Sequence, residues 1–297
     1  GFSGGTMLLI LGIYENFTAS LAKLSKKPIE AFKELWLYGI GTIIGIVIGT
    51  LTIAICLNYF PLIIASFFVG LVIATIPITL RKIRSERLKV ADIVSYVIFL
   101  IIGLLMTYSD KFGISSITIE TPTIGMILYI IVLATIASAT MVIPAASGMT
   151  ILLIFGMYDP LMLMLDKVFK GVLADFKGIL KLNFVPLIEN LWIILPFMVG
   201  ILLGVIGISK MISKLLKQHS SIVWYAILGL LIVSPITIYR EAYNKKAILI
   251  IDSIRSHLGL HIMLCVVFLI LGIFFITYLD YLQKKKQKRI VNEQIVK

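Results

Sequence analysis

Seven stretches, residues 35–58, 61–80, 91–108, 124–143, 187–208, 221–239 and 259–280, are apolar almost without interruption. Each is close to the roughly 20 residues that a helix needs to cross about 30 Å of hydrocarbon. A chain of 297 residues that is 60% hydrophobic and 14% charged carries more apolar surface than one soluble core can hide. The composition and the runs together predict an all-α polytopic membrane protein with about seven spans, and the bilayer is its first partner.

The net charge of +12 would suggest a nucleic-acid partner in a soluble protein. Here 18 of the 27 Lys and Arg fall in the segments 22–34, 81–90, 209–220 and 281–297. That is the positive-inside pattern, and it predicts a cytoplasmic basic tail containing Lys284, Lys285 and Lys286, with no nucleic acid involved. Cys56 and Cys265 lie inside apolar runs, so neither a disulfide framework nor a CxxC metal site is expected. The opening Gly-Phe-Ser-Gly is not a cleavable signal sequence and does not begin with Met, so the chain is expected to be a trimmed piece of a longer one.

One phrase occurs twice. Ser3-Gly4-Gly5-Thr6-Met7-Leu8-Leu9-Ile10-Leu11-Gly12-Ile13-Tyr14 matches residues 147–158 at eight of twelve positions, and the next residues are Glu15 and Asp159. Leu35-Trp36 recurs as Leu191-Trp192, Gly45xxxGly49 as Gly200xxxGly204, and Pro77-Ile78-Thr79 before Arg81 as Pro235-Ile236-Thr237 before Arg240. The chain is therefore read as an internal duplication with a period of about 155 residues. The first repeat covers 1–108, an external loop 109–123, the second repeat 124–280, and the basic tail 281–297. The arm at 124–143 has no counterpart ahead of Gly1, so the first hairpin is expected to lack its leading arm.

The basic tail and the symmetry require an even number of crossings from residue 124 through the second phrase. Its two arms either cross fully or form a re-entrant hairpin broken at Pro144-Ala145-Ala146. Each half then makes an odd number of crossings, so the repeats are inverted. Inverted repeats with broken helices are the pattern of secondary transporters.

A Ser, Gly and Thr leading into an apolar run read as a helix start whose first N–H groups have no partner within the helix. Such a start favours anions, phosphate oxygens included. The candidate phosphate-binding residues are Ser3, Gly4, Gly5 and Thr6 in the first copy and Ser147, Gly148 and Thr150 in the second. Packing alone does not explain why Ser, Gly, Thr and Tyr all recur beside a helix break. For Gly41, Gly45, Gly49, Gly200 and Gly204, at four-residue spacing, close helix packing is the expectation, and the same ridges would allow a homodimer.

Glu15 and Asp159 either couple transport to protons or sodium or simply end their helices at the interface. Arg81 and Arg240 can capture phosphate on opposite faces, although "RKIRSERLK" around Arg81 also reads as cytoplasmic anchoring. His257 and His261 have metal-ligand spacing without a third ligand, and Trp36, Trp192 and Trp224 read as interface anchors. With no Walker loop, HExxH or nucleophile elbow, neither ATP-driven nor hydrolytic chemistry is expected, and no metal or organic cofactor.

"SGGTMLLILGIYE" paired with "IPAASGMTILLIFGMYDP" resembles the doubled signature of the bacterial polyprenyl-phosphate transporter family. The resemblance spans nearly the whole chain. It implies a plasma-membrane translocase that returns undecaprenyl phosphate from the outer to the inner leaflet for reuse in cell-wall synthesis. The phosphate would be held near Ser3, Gly4, Gly5, Thr6, Ser147, Gly148 and Thr150. Two departures from the family pattern are the lack of a Pro and a helix before the first phrase, and Met149 in place of the second Gly. The alternatives are an ion-coupled secondary transporter of a small anion, an intramembrane lipid phosphatase and a purely structural role.

Overall fold

A computed structural model describes residues 4–83, 88–108, 122–144, 146–173 and 185–295. The elements are α1 (Gly4–Ile10), α2 (Tyr14–Lys23), α3 (Pro28–Tyr59), α4 (Pro61–Ile83), α5 (Val90–Thr107), α6 (Ile124–Val142), α7 (Gly148–Ile154), α8 (Tyr158–Leu173), α9 (Val185–Glu189), α10 (Leu191–Gln218) and α11 (Ser220–Ile295). No strand occurs among the described residues. Among the described residues, six helical stretches are long and apolar enough to cross a membrane: α4, α5, α6, α10 and two parts of α11, Ser220–Tyr243 and Leu258–Lys285. The bent pair α7–α8 would make a seventh if it forms one span. Helix α3 runs through the remaining predicted run, 35–58. The predicted external loop lies outside the described residues except at 122–123.

The chain forms two compact units that cut across the sequence repeat: Gly1–Thr107, Ile143–Ala146 and Ser209–Lys297 in one, Tyr108–Val142 and Ser147–Ile208 in the other. In the first unit, α4, α5 and the two parts of α11 pack together, so the last spans of the second repeat join helices of the first. Lys82 lies over the Trp224 ring at 5.6 Å, and Ser66 Oγ is 2.9 Å from the Tyr239 hydroxyl. The first part of α11 therefore runs antiparallel to α4, and these are the two helices that carry the repeated Pro-Ile-Thr. Gly272 abuts Phe67, while Arg81 reaches Asp280, so the second part runs parallel to α4. Helix α11 thus folds back between its two spans, where sequence reading places an external segment at 240–258.

Glycines set how closely these helices approach. A Cβ on Gly70 would collide with the Leu269 carbonyl, and one on Gly272 with that of Phe67. Across the other pair, a Cβ on Gly229 would sit 2.6 Å from the Tyr96 carbonyl oxygen, and one on Gly103 3.3 Å from Val233 Cβ. Lipid is as apolar as a leucine side chain, so helix association depends on such close backbone packing rather than on hydrophobic burial. Asp92 closes one end of this group. It is fully buried, accepting from the Lys89 N–H at 2.8 Å and the Ser221 hydroxyl at 2.7 Å. The first of these bonds satisfies an orphan donor at the start of α5.

In the second unit, Ile130, Leu133 and Ala137 of α6 pack with Leu152 of α7, Met157, and Ile193 of α10. Here the small-residue expectation is met. A Cβ on Gly200 would sit 2.5 Å from the Ile131 carbonyl oxygen, and one on Gly204 would strike Thr135 and Ser138. On α3, a Cβ on Gly41 or Gly45 would meet no atom within 4 Å among the described residues. Trp224 also departs from its interface assignment, being 3% exposed, with its indole N–H donating to Ser220 Oγ at 3.1 Å.

Replacing Gly272 with Leu should therefore lower the melting temperature of the purified protein sharply, since overpacking costs roughly 1–3 kcal/mol. Gly207→Leu, where no described atom lies within 4 Å of a Cβ, should leave it nearly unchanged. Thermal denaturation in detergent compares the two.

Candidate functional site

The two copies of the repeated phrase fold into the same break. In the first, Leu11 N–H donates to the Met7 carbonyl at 2.9 Å, Gly12 to Leu9 at 3.0 Å and Ile13 to Leu8 at 3.0 Å. In the second, Phe155 donates to Ile151 at 3.2 Å, Gly156 to Leu153 at 3.1 Å and Met157 to Leu152 at 2.9 Å. Gly12 and Gly156 take φ values of 66° and 67°, the left-handed region that a side chain disfavours. Together these are Schellman caps, in which a glycine ends one helix and satisfies its last carbonyls. The second helices begin at Tyr14 and Tyr158, and α7 and α8 meet at a bend of 108°.

Around these breaks each unit supplies its own supports. In the second unit the Tyr129 hydroxyl of α6 donates to the Phe155 carbonyl at 2.8 Å, taking up an acceptor at the bend. In the first, Tyr14 is 2% exposed, and Gln283 of α11 lies where a Cβ on Gly12 would be. Neither Tyr129 nor Gln283 carries a local sequence signal, because each acts on a segment far away in the chain.

The amino ends of the short helices differ from one another. Ser3 and Ala145 lie outside the described residues. Ser147 occupies the N-cap position with extended backbone, φ −124° and ψ 113°, but its hydroxyl makes no capping hydrogen bond. The first N–H groups of α7 therefore receive nothing from the side chain that sequence reading assigns to them. Ser147 and Thr150 are half-buried. Gly148 is buried, and a Cβ there would strike the Ala137 carbonyl and approach Met141 Cγ to 2.7 Å. In the first copy Gly5 and Thr6 are buried, whereas Gly4 is exposed with open space around a Cβ.

Several of the charged candidates pair with one another or with other charged groups. Glu15, just beyond the first break, pairs with Lys82 at 3.2 Å. Arg81 pairs with Asp280 at 2.8 Å, and Asp280 also receives Lys284 at 2.8 Å. Glu15, Arg81, Lys82 and Asp280 thus gather at the carboxyl end of α4, although the sequence offers no local pointer to Asp280. Asp159 is exposed in the first turn of α8, and Arg240 is half-buried on α11. Among the described residues no three His, Cys, Asp or Glu side chains cluster closely enough to hold a metal ion.

The chain matches a family model described as undecaprenyl phosphate translocase-like over residues 1–239 and 174–292. A polyprenyl-phosphate transporter of Vibrio cholerae is 27% identical over 248 residues, which cover 78% of this chain and 70% of the relative. A polyprenyl-phosphate transporter of Staphylococcus aureus is 29% identical over 177 residues, 58% of this chain and 56% of that protein. No solved structure matches the chain.

The left-handed turn makes a prediction of its own. Gly156→Ala should cost about 1–2 kcal/mol, the penalty for a Cβ in this conformation, while Gly156→Asn should retain more stability. Melting temperatures of the two variants in one detergent would check the order.

Proposed function

Because the chain belongs to the undecaprenyl phosphate translocase-like family, we propose that it carries undecaprenyl phosphate across the bacterial plasma membrane. The direction in this reading is from the outer to the inner leaflet, returning the lipid carrier for cell-wall synthesis. It is a multi-pass membrane protein, with the Lys284–Lys286 tail read as cytoplasmic, and it acts as a carrier rather than as an enzyme.

The observation that carries the reading is the pair of matching broken helices, each turning at a left-handed glycine. The antiparallel helices that bear the two Pro-Ile-Thr segments support inverted halves. In this reading the phosphate takes its hydrogen bonds from first-turn N–H groups and from Ser147 and Thr150 in the second copy, and Ser3, Gly4, Gly5 and Thr6 carry the same proposed role in the first. The backbone of Gly148 contributes, while its missing side chain lets α7 lie on α6. The isoprenoid tail stays in lipid throughout, so only the headgroup needs a polar path. Arg81, already engaged by Asp280, serves anchoring in this arrangement, and Arg240 remains a candidate for headgroup capture. Coupling to protons or sodium would run through Glu15 or Asp159.

Binding of undecaprenyl phosphate to the purified protein, followed by native mass spectrometry against undecaprenol and phosphatidic acid, tests the substrate. Preference for the polyprenyl phosphate over both is expected. Ser147→Ala with Thr150→Val should weaken it roughly tenfold or more, since hydrogen bonds to a charged group contribute about 1.5–3 kcal/mol. Inhibition by inorganic phosphate as strong as by the lipid would instead favour a small-anion carrier. For coupling, Glu15→Gln or Asp159→Asn should abolish the gradient dependence of transport into oriented vesicles while lipid binding persists. Unchanged gradient dependence in both variants would remove these residues from the mechanism.

A further inference from the structure

Helix α5 falls in the first sequence repeat and the first part of α11, Ser220–Tyr243, in the second, yet the two run parallel and are fastened from end to end. At their amino ends the fully buried Asp92 carboxylate accepts from the Ser221 hydroxyl at 2.7 Å as well as from the Lys89 N–H, and Ser95 donates to the Ile222 carbonyl at 2.9 Å. In the middle, a Cβ on Gly229 would sit 2.6 Å from the Tyr96 carbonyl oxygen, and one on Gly103 3.3 Å from Val233 Cβ. At the far end Thr107 donates to the Gly103 carbonyl of its own helix at 2.8 Å. Its oxygen lies 2.6 Å from the Thr237 hydroxyl, which is left to donate across the seam. Asp92 and Thr107 are separated by roughly 22 Å of helix, so the fastenings span most of a membrane crossing.

Such a seam resists both ways of coming apart. A slide of the first part of α11 by one residue, about 1.5 Å, would bring Leu228 or Leu230 to the place of Gly229, against the Tyr96 carbonyl. Opening the seam would take the Asp92 carboxylate and the Thr237 hydroxyl off their partners in apolar surroundings, where an unpaired polar group is costly. Pro235 lies inside the fastened stretch, between Val233 and Thr237. A proline within a helix removes one backbone bond and is a common site of bending, but here contacts on both sides of it hold the register.

We infer that α5 and the first part of α11 form a clasp that stays closed through the transport cycle, so that the moving bodies are not the two sequence repeats. The second part of α11 is held to α4 in the same manner: Gly70 and Gly272 each admit the other helix's backbone, and Arg81 pairs with Asp280 at 2.8 Å. Helices of both repeats travel together as one block, and Pro235 is a fixed kink rather than a hinge. The inference rests on the transport reading above and adds to it which seam stays shut.

The test is a disulfide across the clasp, in a background with Cys56 and Cys265 replaced by Ser. Thr107→Cys with Thr237→Cys puts two sulfurs where the hydroxyls now lie 2.6 Å apart, within reach of a disulfide. The readout is movement of undecaprenyl phosphate between the leaflets of reconstituted vesicles, where the oxidised protein should work within about twofold of the same protein reduced. A greater loss on oxidation, restored by reductant, would overturn the inference. Absence of transport in the reduced pair and in the cysteine-free parent alike would count against the lipid reading instead, and the clasp is then decided by spectroscopy. Spin labels on Leu105→Cys and Ile236→Cys, both on exposed faces, read the same seam without a crosslink, and serve equally should the Thr107–Thr237 pair fail to fold. One interspin distance, the same in detergent, in nanodiscs and with undecaprenyl phosphate added, is expected. A second population under any of these conditions means that the clasp opens and the inference is wrong.

Discussion

A backbone amide or carbonyl carried into hydrocarbon has no water to bond with, and leaving one unpaired costs several kcal/mol. The irregular parts of this chain follow from that constraint. Where α1 and α7 stop, left-handed glycines bring the next N–H groups back onto the carbonyls of Leu8, Leu9, Leu152 and Leu153. Hydroxyls within the spans turn inward onto their own helices: Thr75 donates to Leu71, Thr107 to Gly103, Thr135 to Ile131 and Ser234 to Leu230. Acceptors at the breaks are thus well supplied. Donors at the start of α7 are not supplied by Ser147, whose hydroxyl makes no capping bond. An anionic headgroup suits that asymmetry, because it brings acceptors only.

The same constraint explains how the first unit holds together. Polar groups already satisfied within each helix leave packing as the main attraction between helices, and packing is strongest where backbones come close. Gly70 faces Leu269 while Gly272 faces Phe67, so α4 and the second part of α11 interlock from both sides. Gly229 and Gly103 do the same for the first part of α11 and α5. A few polar bridges add register: Thr107 and Thr237 hydroxyls lie 2.6 Å apart, and Ser95 donates to the Ile222 carbonyl at 2.9 Å. Each bridge joins helices far apart in sequence, so within this unit helices of the first repeat are fastened to helices of the second.

Local features were legible from sequence and long-range partnerships were not. Apolar runs mark helices because lipid leaves the backbone few choices, and the repeated phrase marks its break because glycine is the residue that reaches positive φ without strain. The pairing of Arg81 with Asp280 depends on two segments about 200 residues apart meeting at one helix end, which no periodicity records. Trp224 looks like an interface residue because it sits near the end of a span, yet Lys82 of a neighbouring helix covers it. The glycine spacing on α3 and α10 is identical in sequence, but among the described residues a Cβ on Gly200 or Gly204 meets α6 whereas one on Gly45 meets nothing within 4 Å. Spacing states that a close approach is allowed, and a neighbour decides whether it happens.

The positions of donors and charges also constrain how a headgroup could travel. Helix α1 has seven residues, so its amino end and its break are separated by roughly 10 Å. The Glu15–Lys82 pair belongs to the break, and the Ser-Gly donors belong to the amino end. A phosphate bound by those donors would sit at the opposite end of α1 from the break at which Glu15 holds Lys82. Lys82 is further restrained by Glu15 and by the face of Trp224, and Arg81 by Asp280. Uncharged donors at one end of a short helix and cations occupied at the other would let the headgroup be held in the bilayer and still leave.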